Sequence, residues 1–189
     1  MFKRFFSKDI NIPTLRLSGV IGQAGIARSG LTITGIEKLI DKLFSDKKAP
    51  AVALIINSPG GSPTQSSLIA EKIINLAKEK NKKVYAFVED VAASGGYWLA
   101  CAADEIYLDL NSIVGSIGVI SPGFGFVDLI KKIGRERRVY TSVKSKSFLD
   151  PFKEEKQEDI DRLKNIQEQI HENFIEYVRK RRGAKLSNS

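Results

Sequence analysis

One cysteine and one histidine are all that the 189 residues contain, and each scarcity removes a class of chemistry. With Cys101 alone there is no intrachain disulfide and no CxxC metal site, which suits a reducing compartment. With His171 alone the usual zinc constellations are excluded, so neither a metal nor another cofactor is expected. A Ser-His-Asp triad would have to use that one histidine. His171 lies within a helical pattern, in a run of acidic and amide side chains, and reads as an ordinary helix residue. Long apolar runs are missing too. Runs such as Ala51 to Ile56 fall far short of the about 20 residues a bilayer-crossing helix needs. The N-terminus, Met1-Phe2-Lys3-Arg4-Phe5-Phe6-Ser7-Lys8, has no apolar h-region behind it and is not a cleavable secretory signal. Its cations beside Phe2, Phe5 and Phe6 suit a membrane surface; a frayed terminus is the alternative.

What is present is an ordinary globular composition, 42% hydrophobic and 28% charged. The length suits one core. Residues 13–182 are expected to form a single domain between a flexible segment, 1–12, and a tail, 183–189. The net charge of +8 invites a nucleic-acid reading, but its distribution argues otherwise. Residues 153–182 carry eight cations and eight anions. Much of the excess sits at Lys131, Lys132, Arg135, Arg137, Arg138, Lys144 and Lys146, with no aromatic-interleaved basic motif. No nucleic-acid partner is expected.

Strand-like and helix-like stretches alternate, which implies an α/β fold. Thr14 to Ile21 can alternate as a strand. Thr34 precedes a helical pattern with Ile36, Leu39, Ile40, Leu43 and Phe44 on one face, ended by Pro50. Ala51 to Ile56 reads as a strand buried on both faces. A helix over 64–80 points Leu68, Ile69, Ile73, Leu76 and Ala77 inward, and Lys83 to Val88 is the next strand. A helix starts near Ser94, strand-like pieces follow near 105–108 and 116–120, and another lies at Arg138 to Ser142. Residues 153–182 form one long helix. Its basic end, Arg179 to Arg182, suits the negative pole of its dipole, and Gly183 is a stop.

Two loops follow buried strands. In Asn57-Ser58-Pro59-Gly60-Gly61, paired glycines after a proline leave amide N–H groups open toward a ligand, as an oxyanion hole requires; a plain tight turn is the bland alternative. In Ala92-Ala93-Ser94-Gly95-Gly96-Tyr97, a serine stands between small residues at a strand–helix junction. Ser94 either caps the helix or is a nucleophile beside the Gly95 N–H. A nucleophilic serine needs a base. A lysine serves if its pKa is lowered, and Lys144 and Lys146 are the candidates in Ser142-Val143-Lys144-Ser145-Lys146.

At these residues the sequence resembles the signal peptide peptidase SppA and SohB family of Ser/Lys peptidases, within the wider ClpP/crotonase fold. The likeness runs from about residue 13 to 182, through Asn57 to Gly61, Ala92 to Tyr97, Ala103-Asp104 and Gly115-Ser116-Ile117-Gly118-Val119, in order. It implies a spiral of β-β-α units with a long C-terminal helix. It implies Ser94 as nucleophile and Lys146, ahead of Pro151, as general base, with Lys144 two positions early. By the same likeness Ser116 orients the lysine, and Gly61 and Gly95 supply the oxyanion N–H groups. Arg137, Arg138 and Lys144 would help keep Lys146 neutral.

The expected activity is hydrolysis of remnant signal peptides or other short apolar peptides through an acyl-enzyme. The resemblance also implies a homo-oligomeric ring; a cytoplasmic location is expected, with peripheral contact at the inner membrane surface through the N-terminus as the alternative to a frayed end. Family members carry a membrane anchor and continue past the long helix, so a C-terminally shortened form is expected here. The alternatives are a catalytically impaired scaffold or a crotonase-type acyl-CoA enzyme.

Overall fold

The structure, a computed structural model, describes residues 10–22, 30–143 and 146–186. The segment Phe2 to Phe6 and Lys144 lie outside the described residues. The chain divides into two compact units, Met1–Ile117 with Phe174–Ser189, and Gly118–Asn173.

The first unit is built on a parallel sheet. Its strands are β1 (Thr14–Ser18), β2 (Ala51–Ser58), β3 (Lys83–Ala93), β4 (Glu105–Leu108) and β5 (Ile113–Gly115). The order is β1-β2-β3-β4, with β5 pairing the far end of β3. Leu17, Ile56, Val88 and Leu108 form one lateral row. Because every pairing is parallel, the carboxyl ends of the strands share one edge, where loops rather than side chains of the sheet meet solvent. The unbroken apolar run of β2 fits its place: Val52, Leu54 and Ile56 are fully buried, and Ala51 and Ala53 nearly so.

Helices α1 (Ile33–Leu43), α2 (Pro63–Glu79) and α3 (Gly95–Ala100) supply the other side of the core. Thr32, not Thr34, is the N-cap of α1, its hydroxyl accepting the Gly35 N–H at 3.2 Å. Leu39 and Leu68, expected inward, are 50% and 41% exposed. Each apolar stripe is narrower than the pattern of leucines suggests, and Ile36, Ile40, Ile69 and Ile73 do the packing. Between β3 and β4, Asp104 accepts the Val84 N–H at 2.9 Å and donates its own N–H to the Val84 carbonyl at 2.9 Å. That double bond to the start of β3 gives the Ala103-Asp104 pair its structural meaning. The strand expected at 116–120 is absent; β5 lies a few residues earlier and stops where Gly115 turns to φ +99°.

The long helix α5 runs Gln157–Arg182, and a short 3-10 turn, Gly183–Lys185, follows at the expected stop. Its last turns belong to the first unit, where Phe174 and Val178 are buried. Trp98 of α3 stacks on Tyr177 at 4.8 Å between ring centroids and lies 4.7 Å from Phe174. Burying a side chain of this size contributes about 1.5–3 kcal/mol, so this cluster is a substantial tie between α3 and α5.

The second unit holds α4 (Val127–Lys132) and the first part of α5. Phe126 stacks on Phe152 at 5.4 Å, and its N–H donates to the Pro151 carbonyl at 2.7 Å. A cavity of about 680 Å³ opens here, with Phe124, Phe126, Leu149, Pro151, Ile160 and Leu163 among its walls. Arg138 to Ser142, expected as a strand, is irregular and mostly exposed, and no described strand pairs with it. No described helix is long and apolar enough to cross a membrane.

Candidate active site

Ser94 lies directly after β3 and directly before α3, at the carboxyl edge of the sheet. Its backbone sits at φ 50°, ψ −120°, a conformation that costs a residue with a Cβ on the order of 1–3 kcal/mol and persists only where the surroundings enforce it. Here they do. The Ser94 N–H donates to the Gly115 carbonyl at 2.8 Å, and its own carbonyl accepts the Trp98 N–H at 3.0 Å. Although Ser94 occupies the N-cap position, its side chain makes no capping hydrogen bond. The capping alternative is therefore overturned, and the hydroxyl is not committed to the helix.

The glycine loop fits against this serine backbone to backbone. A methyl group on Gly60 would stand 2.8 Å from the Ala93 oxygen, the Gly95 nitrogen and the Ser94 Cβ alike. One on Gly95 would meet Ser66 Oγ at 2.3 Å, and one on Gly96 the Ser58 oxygen at 2.4 Å. No residue with a side chain fits any of the three positions. Gly61, at φ +144°, is bracketed by Ile21, whose N–H donates to the Gly60 carbonyl and whose carbonyl accepts the Ser62 N–H, both at 2.8 Å. In a parallel pairing the middle residue turns its own N–H to the opposite side, so the Gly61 donor faces away from Ile21.

Hydroxyls pin the loop from beneath. Ser58 Oγ donates to the Gly19 carbonyl at 2.7 Å and accepts the Gly60 N–H at 3.2 Å, while Ser66 Oγ donates to the Ser62 carbonyl at 2.9 Å. Both serines are fully buried. Behind the site, burial pushes the Cys101 thiol up to about 11, and burial first, then the thiol, pushes the Tyr97 phenol up to about 12.

Of the residues singled out in the sequence, the structure thus gathers Ser94, Gly61 and Gly95 with the Gly115 carbonyl at one edge of the first unit. Ser116, exposed and at φ 54°, follows Gly115 and so starts beside Ser94, in line with the Ala93–Gly115 pairing. Lys146 belongs to the second unit, exposed on a turn whose N–H donates to the Val143 carbonyl at 3.3 Å. Of the cations expected around it, Arg137 pairs with Asp150 at 3.2 Å and Arg138 with Glu136 at 2.8 Å. Those acids offset the positive charge the two arginines would present. Among the described residues no cluster of histidine, cysteine or acidic groups is arranged to hold a metal.

Ser66 went unnamed in the sequence, and Gly60 and Arg181 were given no site role of their own there. The doubled glycine was a fair signal for Gly60, and the spacing of Ser62 and Ser66 on one helix face a faint one for Ser66. Arg181 had none. Its guanidinium reaches the Cys101 and Ala102 carbonyls, each at 2.8 Å, at the end of α3.

A serine held in strained backbone at a strand–helix junction, at the carboxyl edge of a parallel sheet with glycine turns packed against it, is the local geometry that exposes a serine hydroxyl. The chain belongs to peptidase family S49, whose model matches residues 76–188. Over 188 residues, 99% of the chain, it is 54% identical to part of a protein from Brucella melitensis named Na(+)/H(+) antiporter NhaA. It is 42% identical over 99 residues to Protease 4 of Haemophilus influenzae, 52% of this chain. It is 38% identical over 137 residues to the chloroplastic serine protease SPPA of Arabidopsis thaliana, 64% of this chain. The chain spans 26%, 16% and 20% of the lengths of these three relatives. Among solved structures it is similar to a ClpP1 variant from Listeria monocytogenes over 48% of this chain and 46% of that one, at 22% identity and a TM-score of 0.37.

Proposed function

We propose that the chain is a serine endopeptidase whose nucleophile is Ser94 and whose general base is Lys146. The observation that carries the reading is the Ser94 backbone: strained, enforced from both neighbours, with a side chain free of the capping role. Neutral Lys146 takes the Ser94 proton, and the oxygen attacks a peptide carbonyl. The Gly61 and Gly95 N–H groups receive the oxyanion. Lys146 returns the proton to the leaving amine, and water then releases the acyl group from Ser94. Ser116 orients the lysine. Short apolar peptides, remnant signal peptides among them, are the proposed substrates.

The likeness to part of a protein named as an antiporter supports a working place at a membrane surface. Because Ser94 and Lys146 stand in different units, the reading extends to assembly: the dyad forms within one chain or between neighbours in a ring.

Hydrolysis of a short apolar fluorogenic peptide by wild type, Ser94→Ala and Lys146→Ala tests the chemistry. Activity in the wild type alone supports the dyad; activity that survives Ser94→Ala removes it. Mixing the two inactive variants tests the assembly, since recovered activity requires a dyad shared between chains.

A further inference from the structure

The helix that follows Ser94 is only six residues long, Gly95–Ala100, and its two ends are held by different means. At its start, Gly95 and Gly96 press against the Ser66 hydroxyl and the Ser58 carbonyl. Just past its finish, the C-cap carbonyl of Cys101 and the two carbonyls that follow it meet one side chain from far along the chain. Arg181 Nε donates to the Cys101 carbonyl at 2.8 Å, and its Nη2 to those of Ala102 at 2.8 Å and Ala103 at 3.3 Å. One turn earlier on α5, the Tyr177 hydroxyl donates to the Trp98 carbonyl at 3.2 Å. One residue later, Arg182 donates to the Asp104 carbonyl at 3.2 Å, as does Lys185 at 2.8 Å.

We propose that Arg181 is a positioning residue for Ser94, acting through α3; the proposal rests on the reading of Ser94 as nucleophile. The buried Leu99 and Ala100 keep α3 in the core, but apolar burial is non-directional; the directional contacts at its start and at Trp98 leave the turn at its finish to Arg181. A guanidinium is a planar fork of fixed donors. Three successive carbonyls of the turn that leaves α3, held on one fork, fix that turn and through it the finish of α3. That in turn sets where the Gly95 N–H and the Ser94 oxygen stand. The strained Ser94 backbone needs such enforcement, because its relaxed alternatives carry the hydroxyl elsewhere.

The test uses the full chain and a fluorophosphonate probe, which labels an activated serine whatever peptide the protein prefers. Labelling rates are compared for wild type, Ser94→Ala, Arg181→Ala and Arg181→Lys, at a temperature where circular dichroism and melting show each to be folded. Wild type labels and Ser94→Ala does not. Arg181→Ala labels on the order of 10- to 100-fold more slowly, the scale expected when a remote change shifts reacting groups by about 1 Å. Guanidinium ion at a non-denaturing concentration restores part of the rate, whereas ammonium ion does not, a rescue that a purely structural role would not give.

Folded Arg181→Ala labelling at the wild-type rate overturns the proposal. Should that variant not fold, Arg181→Lys decides: it keeps the charge and loses the fork, and a wild-type rate there overturns the proposal equally. Absence of Ser94-dependent labelling in the wild type overturns the nucleophile reading itself, and the positioning role with it.

Discussion

Ser94 and Gly115 are tied through their backbones, the N–H of the first donating to the carbonyl of the second at 2.8 Å just where β3 and β5 stop pairing. The bond holds Ser94 at φ 50° without using its side chain. Ser94→Ala should therefore abolish hydrolysis while changing stability by less than about 0.5 kcal/mol, since the strain is unchanged and no capping bond is lost. Ser94→Gly removes the strain and should stabilise by about 1 kcal/mol while equally inactive. Urea denaturation beside a peptide assay checks both.

Two glycines with positive φ should respond very differently to alanine. At Gly61 the added methyl lies 2.0 Å from the Ile21 oxygen, whereas at Gly115 nothing lies within 4 Å. Gly115→Ala should cost about 1 kcal/mol, the strain alone. Gly61→Ala should cost more than about 3 kcal/mol, because backbone must move on both sides. Equal effects in chemical denaturation would refute the close packing described for the glycine loop.

Above neutral pH the buried thiol sets a limit. Cys101 is fully buried, and its pKa moves from 9.0 to about 11 on folding. The folded state thus keeps a proton that the unfolded chain releases. The associated stability is complete below about pH 9 and is lost as the pH climbs toward 11, by roughly 2–3 kcal/mol across that window. Melting temperature should be flat from pH 7 to 8.5 and fall beyond it. At pH 8 a thiol reagent should leave the native protein unmodified and react promptly once urea unfolds it.

Asp104→Ala removes the acceptor of the Val84 N–H at the head of β3. Leaving that buried donor unpaired should cost about 1–3 kcal/mol. Amide hydrogen exchange at Val84 should quicken more than at Val88, further along the same strand.

Much of this architecture was readable because hydrophobic pattern and strand burial coincide. The run from Ala51 to Ile56, the helix over about 64–80 and the end of the long helix near Gly183 fall where the residues place them, though that helix starts at Gln157 rather than Lys153. The failures have a common physical origin. Leu39 and Leu68 have the spacing of core residues yet sit at the shoulders of their helices, since a helix resting on a sheet buries a narrow stripe. Residues 116–120 and 138–142 have strand-like composition, but a strand exists only with a partner, and none pairs with them among the described residues. Ser94 could be singled out by its small neighbours; its positive φ could not, because that conformation is imposed by Gly60, Gly115 and α3 together. The basic run at 179–182 suggested a complement to the dipole of its own helix. Arg181 instead serves another helix, 80 residues away in the chain, a pairing that no local pattern encodes.

That separation has a consequence for how the protein is made. The Tyr177 bond to Trp98 spans 79 residues, so at about 5–20 residues per second a ribosome finishes α5 roughly 4–16 s after the serine loop has been synthesised. During that interval the sheet can assemble while the far end of α3 stays open. Helix α5 is thus the closing step for α3, and a newborn chain comes late to the contacts that hold the turn after it.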